Sequence, residues 1–440
     1  MAHFELWGGV GVIGSSKVLV HDRGYRVLLD LGLDIPRDAD LFRAPARPRP
    51  GRELADRLRV GAAAAIPGIY DPAALDVGTV RGGAGLAEEG LPAPLADWAG
   101  PTAVFISHPH IDHVGLAGFI RPEIAVHASP EAISLLRALE QGGDILAGPR
   151  GLAGWQSVAA GAKVDVGPMT VERFDVDHDV PGASGYRVTT SDGVLAFTGD
   201  IRFHGHHPER SWQFAADVAG CDVLVTEGTT LSFDETRPPR TEADVARDYE
   251  AALAASGDLM LQAVYPRDLD RVRAFIAIAA RHGRTIVWPD RTALFLRAAG
   301  ISDAAGSSDA AGRLVTLRES PGSFVVQFDP DDLPGLLDLP LGPDSVLLHA
   351  NGEPLGPFDP RWKLCTDWLT HCGLPLRHIG CSGHAYQDDL HEMVYRIRPR
   401  VVVPIHTLTP YRLHPVAGPT RLAPDRAHPY DFTGRPIRFS

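Results

Sequence analysis

Three imidazoles and a carboxylate stand within six positions in Ser107-His108-Pro109-His110-Ile111-Asp112-His113, directly after the apolar segment Ala103-Val104-Phe105-Ile106. An apolar run that breaks into so polar a cluster reads as a strand handing its last residues to a loop. Alternation along a strand places His108 and His110 together, and a turn after them lets Asp112 and His113 face a second ion. Buried without a cation, such imidazoles would repel one another or have to stay neutral. The chain holds 19 histidines, so chance pairs are expected, but this spacing has few structural uses. The run therefore reads as a metal loop, and the fold must bring further ligands to it.

Those ligands are sought at other strand ends, where loops converge in layered α/β proteins. Lys17–His21 and Tyr25–Asp30 form a hairpin pattern around Asp22-Arg23-Gly24, and Asp30 at its end is either a turn former or a buttress for a metal ligand. His178 lies where Pro181-Gly182 forces a turn, and Val194–Phe197 leads through Thr198-Gly199 to Asp200, a carboxylate suited to bridging two ions. Near the C-terminus, Ile379-Gly380-Cys381-Ser382-Gly383-His384 ends one strand, and Val401–Ile405 ends on His406. Between them Leu390, Met393, Val394 and Ile397 share one helical face. Val114–Ile120 reads as the start of a helix and Ile124–His127 as a strand.

The segment from about residue 231 to 371 has a different texture. Thr241-Glu242-Ala243-Asp244 offers an N-cap and first-turn carboxylates to a helix ending near Gly257, and the strand Leu259–Val264 follows. A helix with Val272, Phe275, Ile276 and Ala279 on one face then leads to the strand Thr285–Trp288. Repeated strand, helix, strand units predict a parallel sheet and a second domain inserted into the first. Residues 37–100, rich in Pro, Gly, Ala and Arg, read as an irregular insertion with short helices.

Composition sets looser bounds. At 440 residues, 44% hydrophobic and 22% charged, the chain suits a globular protein of two or three domains. It has no long apolar run and no signal-peptide pattern at its start, which leads to the expectation of a cytoplasmic protein without membrane contact. Cys221, Cys365, Cys372 and Cys381 show no Cys-x-x-Cys pair and are expected to be reduced. A net charge of -13 argues against coating nucleic acid with the whole surface, yet leaves room for a nuclease whose cations hold phosphate locally.

Taken together, Asp30, His108 to His113, His178, Asp200 and His406 resemble the successive motifs of the metallo-β-lactamase superfamily. Thr226-Glu227-Gly228-Thr229-Thr230, the inserted domain, and Ser382-Gly383-His384-Ala385 before Pro404-Ile405-His406-Thr407 resemble the β-CASP nucleases, among them the ribonuclease J-like group. The resemblance covers nearly the whole chain, with residues 37–100 its least secure part. It implies an α/β fold: a metallo-β-lactamase αββα sandwich formed by residues 1–230 and 373–440, with a β-CASP-type α/β domain at 231–372. It also implies two divalent ions, Zn or Mn. One would be held by His108, His110 and His178 and the other by Asp112, His113 and His406, with Asp200 between them. Asp112, Asp200 and His384 would carry catalysis, Ser382, Gly383 and His384 would meet the substrate, and Asp30 and Glu227 would support their neighbours.

The implied reaction is hydrolysis of single-stranded RNA by a two-metal-activated hydroxide, as a 5′-to-3′ exonuclease with endonuclease activity also open. DNA hydrolysis, and hydrolysis of a lactone, thioester or cyclic phosphate, stand as alternatives, and so does a homodimer as the assembly. Where the ribonuclease J-like group has a polar stretch that holds a 5′-phosphate, this chain has Tyr265-Pro266-Arg267-Asp268. Arg267 either makes that contact through its planar guanidinium or is an ordinary surface arginine. His204, His206 and His207 are expected to be solvated loop residues, and Asp34 and Asp177 to be turn residues.

Overall fold

The computed structural model describes residues 1–33, 41–42, 46–75, 100–234, 238–306, 317–414 and 418–438. Asp34 and about half of the Pro- and Gly-rich stretch lie outside them. Its described part holds the short helices Glu53–Arg59 and Pro72–Leu75.

Three sheets organise the described residues. The first runs, in spatial order, Pro429–Tyr430, His3–Gly8, Lys17–Asp22, Tyr25–Leu29, Thr102–Phe105, Ala125–Ala128 and Trp155–Ser157. The second runs Thr420–Arg421, Val401–Ile405, Val223–Glu227, Val194–Phe197, Ser184–Thr189, Met169–Asp175 and Lys163–Val166. Their alternating residues decide how they stack. Phe4, Leu6, Val18, Val20, Val27, Leu29 and Phe105 of the first sheet meet Met169, Val171, Tyr186, Leu195, Val223, Val225, Val401 and Val403 of the second in one buried core. Phe105 is fully buried there, and its truncation to alanine would cost about 3–5 kcal/mol.

The residues between those positions face outward to helices. Leu19, Leu28, Val104 and Val126 pack with Ala132, Ile133, Leu135 and Leu136 of the helix Pro130–Gln141. On the far side Ala196, Leu224 and Val402 pack with Phe214 and with Leu390, Met393, Val394 and Ile397, from the helices Pro208–Asp217 and Gln387–Ile397. The result is an αββα sandwich.

The third sheet orders Ala305–Gly306, Thr285–Trp288, Phe324–Gln327, Met260–Val264, Leu347–Ala350 and Leu376–His378, with every pairing parallel. The helix before it runs Glu242–Ala255, and Thr241 and Asp244 close a capping box at its start. The helix Leu269–Arg281 buries Val272, Phe275 and Ala279, while Ile276 is half-buried. Met260 and Val264 share a core with the first sheet's outer face, whereas Leu261 and Ala263 pack on the opposite side with Cys365 and Leu369. The third sheet is thus covered on both faces, as parallel sheets require.

One expected element is cut short. Helix occupies only Ile111–Val114, followed by a single tight turn at Ala117–Phe119, instead of a helix opening at Val114. The Leu116 N–H is captured by the Leu31 carbonyl at 3.0 Å. At Gly118 a Cβ would lie 2.1 Å from the Ala147 carbonyl, so backbone passes where a helix would carry side chains.

Candidate metal centre

Parallel pairing collects the site. Tyr25–Leu29 and Thr102–Phe105 run side by side, which puts Asp30 next to Ser107. Val194–Phe197, Val223–Glu227 and Val401–Ile405 are likewise parallel neighbours, so Asp200, Glu227 and His406 emerge at one edge of the second sheet. Asp30 and His406 both adopt positive φ, 62° and 55°, which turns the chain sharply off the end of each strand.

Two groups of donors face one another across this edge. In the first, His110 Nδ1 lies 3.1 Å from His108 Nε2 and 3.2 Å from His178 Nε2. In the second, His406 Nε2 is 3.0 Å from Asp112 Oδ2, and His113 Nε2 is 3.7 Å from the same oxygen. Asp200 Oδ2 stands between them, 3.6 Å from His108 Nε2, 3.9 Å from His178 Nε2, 3.2 Å from His113 Nε2 and 3.6 Å from His406 Nε2.

The far nitrogens explain why the rings point inward. His113 Nδ1 is 2.7 Å from Asp30 Oδ2, whose carboxylate also accepts from Ser107 N at 2.6 Å and Ser107 Oγ at 2.7 Å. His178 Nδ1 donates to the Gly383 carbonyl at 2.6 Å, and His406 Nδ1 lies 2.7 Å from Thr229 Oγ1. A ring held through one nitrogen presents the other, which is how protein scaffolds orient metal-binding histidines.

Divalent cations fit this donor set. Among the described residues, His113 Nε2, Asp200 Oδ1, His110 Nε2 and Asp179 Oδ1 are buried without a hydrogen-bond partner, although each borders the cluster. Burial lowers the pKa of His110, takes His178 down to about 3 and holds His108 well below its ordinary range, so all three keep ring lone pairs at neutral pH. Burial also opposes charge on His113, but Asp200, Asp112 and Asp30 overcome it and raise that ring well above its usual value. Those same charges would welcome a cation in place of the proton.

His384 sits at the rim, about a quarter exposed, with Nδ1 3.7 Å from Asp200, 3.6 Å from Glu227 and 3.2 Å from Thr229 Oγ1. Burial opposes its protonation, yet Asp200 and Glu227 lift its pKa to about 9. Glu227 accepts from Thr229 N at 2.7 Å and Ala385 N at 3.2 Å, which ties the His384 loop to the second sheet. Ser382 Oγ accepts from His384 N at 3.0 Å, and a Cβ at Gly383 would fall 2.5 Å from Asp179 Oδ2.

Other sites of interest lie elsewhere. Arg267 does not stand open to an anion: it pairs with Asp144 at 2.9 Å, on a cavity also lined by Tyr265, Arg291, Asp329, Asp331 and Glu353. His204 is a correction to the expected solvated loop. It is buried, donates from Nε2 to the Ser382 carbonyl at 2.8 Å, and packs on Tyr386 with ring centroids 4.2 Å apart. His206 is half-buried 3.5 Å from Glu242, and His207 is likewise half-buried, 3.4 Å from Glu209. Asp177 also differs from a plain turn residue, being buried and accepting from Arg202 Nε at 3.1 Å and His207 N at 3.0 Å. Thr229, Asp179 and Tyr265 join the site's surroundings without having been given a role from sequence. Thr229 and Tyr265 stand in the stretches 226–230 and 265–268, and Asp179 is adjacent to His178, which were the signals available.

Two family models match the chain: a beta-lactamase superfamily domain over residues 74–266 and a Zn-dependent metallo-hydrolase RNA specificity domain over residues 375–410. The chain belongs to the metallo-β-lactamase superfamily. Within it, this superfamily member is a metal-dependent hydrolase of the β-CASP nuclease group. It is similar to ribonuclease J of Pyrococcus abyssi, 22% identical over 69% of this chain and 74% of that one. Ribonuclease J of Mycobacterium tuberculosis is 25% identical over 69% of this chain, which spans only 58% of that relative. Ribonuclease J of Thermus thermophilus is 22% identical over 75% of this chain and 64% of its own length. A solved protein of unknown function from Enterococcus faecalis V583 shares the fold, with a TM-score of 0.80, 24% identity, and coverage of 97% of this chain and 99% of that one.

Proposed function

We propose that this superfamily member hydrolyses single-stranded RNA, as a 5′-to-3′ exonuclease with endonucleolytic cleavage as a second mode. The observation that carries the reading is His384. It is a partly exposed imidazole at the mouth of a complete donor cluster, in a chain whose curated relatives are ribonucleases J. In this reading residues 1–230 and 373–440 hold the metal-bearing sandwich, and 231–372 form an inserted unit along which a strand can thread.

His108, His110 and His178 would hold one divalent ion and Asp112, His113 and His406 the other, with Asp200 shared, and zinc or manganese suits nitrogen and carboxylate donors. Such a pair supplies Lewis acidity to a phosphodiester and eases the deprotonation of water. The chain's own groups do the remaining work. Glu227 and Thr229 hold His384 through Nδ1, so that Nε2 is turned to meet a scissile phosphate and to keep a proton for the departing oxygen. Asp30 and the Gly383 carbonyl keep His113 and His178 from rotating, and Arg267 would have to release Asp144 to grip a 5′-phosphate. A cytoplasmic location belongs to the same proposal; among the described residues no helix is long and apolar enough to cross a membrane.

The test is digestion of labelled RNA carrying a 5′-monophosphate, triphosphate or hydroxyl, with Mn or Zn loaded. Mononucleotide release from the 5′ end supports the exonuclease, and internal fragments support the second mode. Full metal occupancy with no cleavage of RNA, alongside turnover of DNA, a lactone, a thioester or a cyclic phosphate, would overturn the proposal.

A further inference from the structure

A second convergence of donors lies away from this centre, on the amino-terminal hairpin. His3 and His21 are directly opposed across the antiparallel pair His3–Gly8 and Lys17–Asp22, and Glu5 follows two residues along the same face. Their side chains are mostly shielded, with 13%, 14% and 13% of their surface exposed for His3, His21 and Glu5. The two rings are stacked, with centroids 4.3 Å apart and planes 8° from parallel. Glu5 Oε1 stands 3.8 Å from His3 Nε2 and 3.6 Å from His21 Nε2.

These spacings are informative. At 3.6 and 3.8 Å the carboxylate oxygen stands close to both ring nitrogens. Donors bound to one zinc ion at about 2.0–2.1 Å are separated by about 3.3 Å, so sharing a cation requires the carboxylate to close by a few tenths of an ångström and the two stacked rings to turn their Nε2 lone pairs toward each other. Glu5 is held from its outer side. The Trp7 indole N–H occupies Glu5 Oε2 at 2.6 Å and leaves Oε1 turned to the rings. His3 Nδ1 lies 3.5 Å from the Met1 carbonyl, an orientation in which a proton on Nδ1 would leave the lone pair on Nε2. Burial lowers the pKa of His3, and this favours the neutral ring that metal binding requires. Arg26, opposite His21, places a positive charge near Glu5 and moderates the attraction for a cation.

We propose that His3, Glu5 and His21 form a separate site for one transition-metal dication, zinc or a close analogue, with solvent at its remaining position. Its role would be structural. It would fasten the first strand to the second just before Gly9, whose carbonyl accepts the His406 N–H at 2.8 Å. The inference does not depend on which substrate the catalytic centre takes.

The experiment is metal counting on the full chain. Protein stripped with chelator is reloaded with Zn(II) or Co(II), dialysed and assayed by elemental analysis and by competition with a chromophoric chelator. Wild type is expected to retain one equivalent more than H3A/H21A, while H108A/H110A keeps the hairpin ion. Because E5Q preserves shape and the acceptor for Trp7, it should keep its circular dichroism and weaken that ion at least tenfold. Equal stoichiometry in wild type, H3A/H21A and E5Q would overturn the proposal, as would a hairpin ion whose affinity E5Q leaves unchanged.

Discussion

Asp30 ends its strand with a positive φ and spends both carboxylate oxygens on Ser107 and His113, so it orients the loop that follows the neighbouring strand. Asp30→Asn should keep the fold but weaken metal binding about 10–100-fold, as loss of an outer hydrogen-bond partner commonly does, and isothermal titration with Zn or Mn reads this directly. His204 makes a prediction about acid. Burial pushes its pKa from 6.5 down to about 4, so the folded state resists the proton that the unfolded chain accepts. Its contribution is fully present above pH 6.5 and fades as the pH falls toward 4, by at most about 3 kcal/mol. Urea melts at pH 7.5 and pH 5 should therefore show a smaller loss of stability in His204→Asn than in wild type. At this scale the sequence disclosed donor types well and burial poorly. Asp30, His108, His113 and His406 stand at strand ends where pattern alone could find them. His204 and Asp177 are buried by contacts with Ser382 and Arg202, residues 178 and 25 positions away, which no local pattern encodes.

Among the elements, the helix Glu242–Ala255 joins the sandwich to the third sheet through Glu242. That carboxylate is buried and pairs with Arg202 at 2.8 Å and Arg271 at 2.6 Å. Glu242→Ala would leave two guanidinium groups buried without their shared partner, and should cost about 3–5 kcal/mol in chemical denaturation. Thr241→Ala, which removes only the capping box of the same helix, should cost about 1 kcal/mol. Comparing the two separates ordinary helix stability from the link between units. The strand-helix-strand repeat after residue 241 was legible because the capping signals, the helical face of Val272, Phe275 and Ala279, and the apolar strands all agree. The helix read from Val114 failed because Leu116 forms a tertiary backbone bond to Leu31 and Gly118 is pressed against Ala147, both of which override local periodicity.

For the whole molecule, the stacked sheets act as a rigid frame whose strand ends hold charged groups that would otherwise be costly to bury together. Cations that bind only the folded chain should raise its stability, by about 2.7 kcal/mol at a free concentration one hundred times Kd. Chelation should accordingly lower the melting temperature of wild type, and the shift should shrink in Asp200→Ala. The claim that this frame presents a metal-dependent RNA-cleaving centre is tested most directly by one measurement: the single-turnover rate on end-labelled single-stranded RNA, with metal content determined on the same samples of wild type and His384→Ala. Wild type should cleave, and the variant should carry the same metal yet cleave about 10²–10⁴-fold more slowly, the range for loss of a positioned proton donor. Equal rates at equal metal content, or no cleavage by fully loaded wild type, would contradict it.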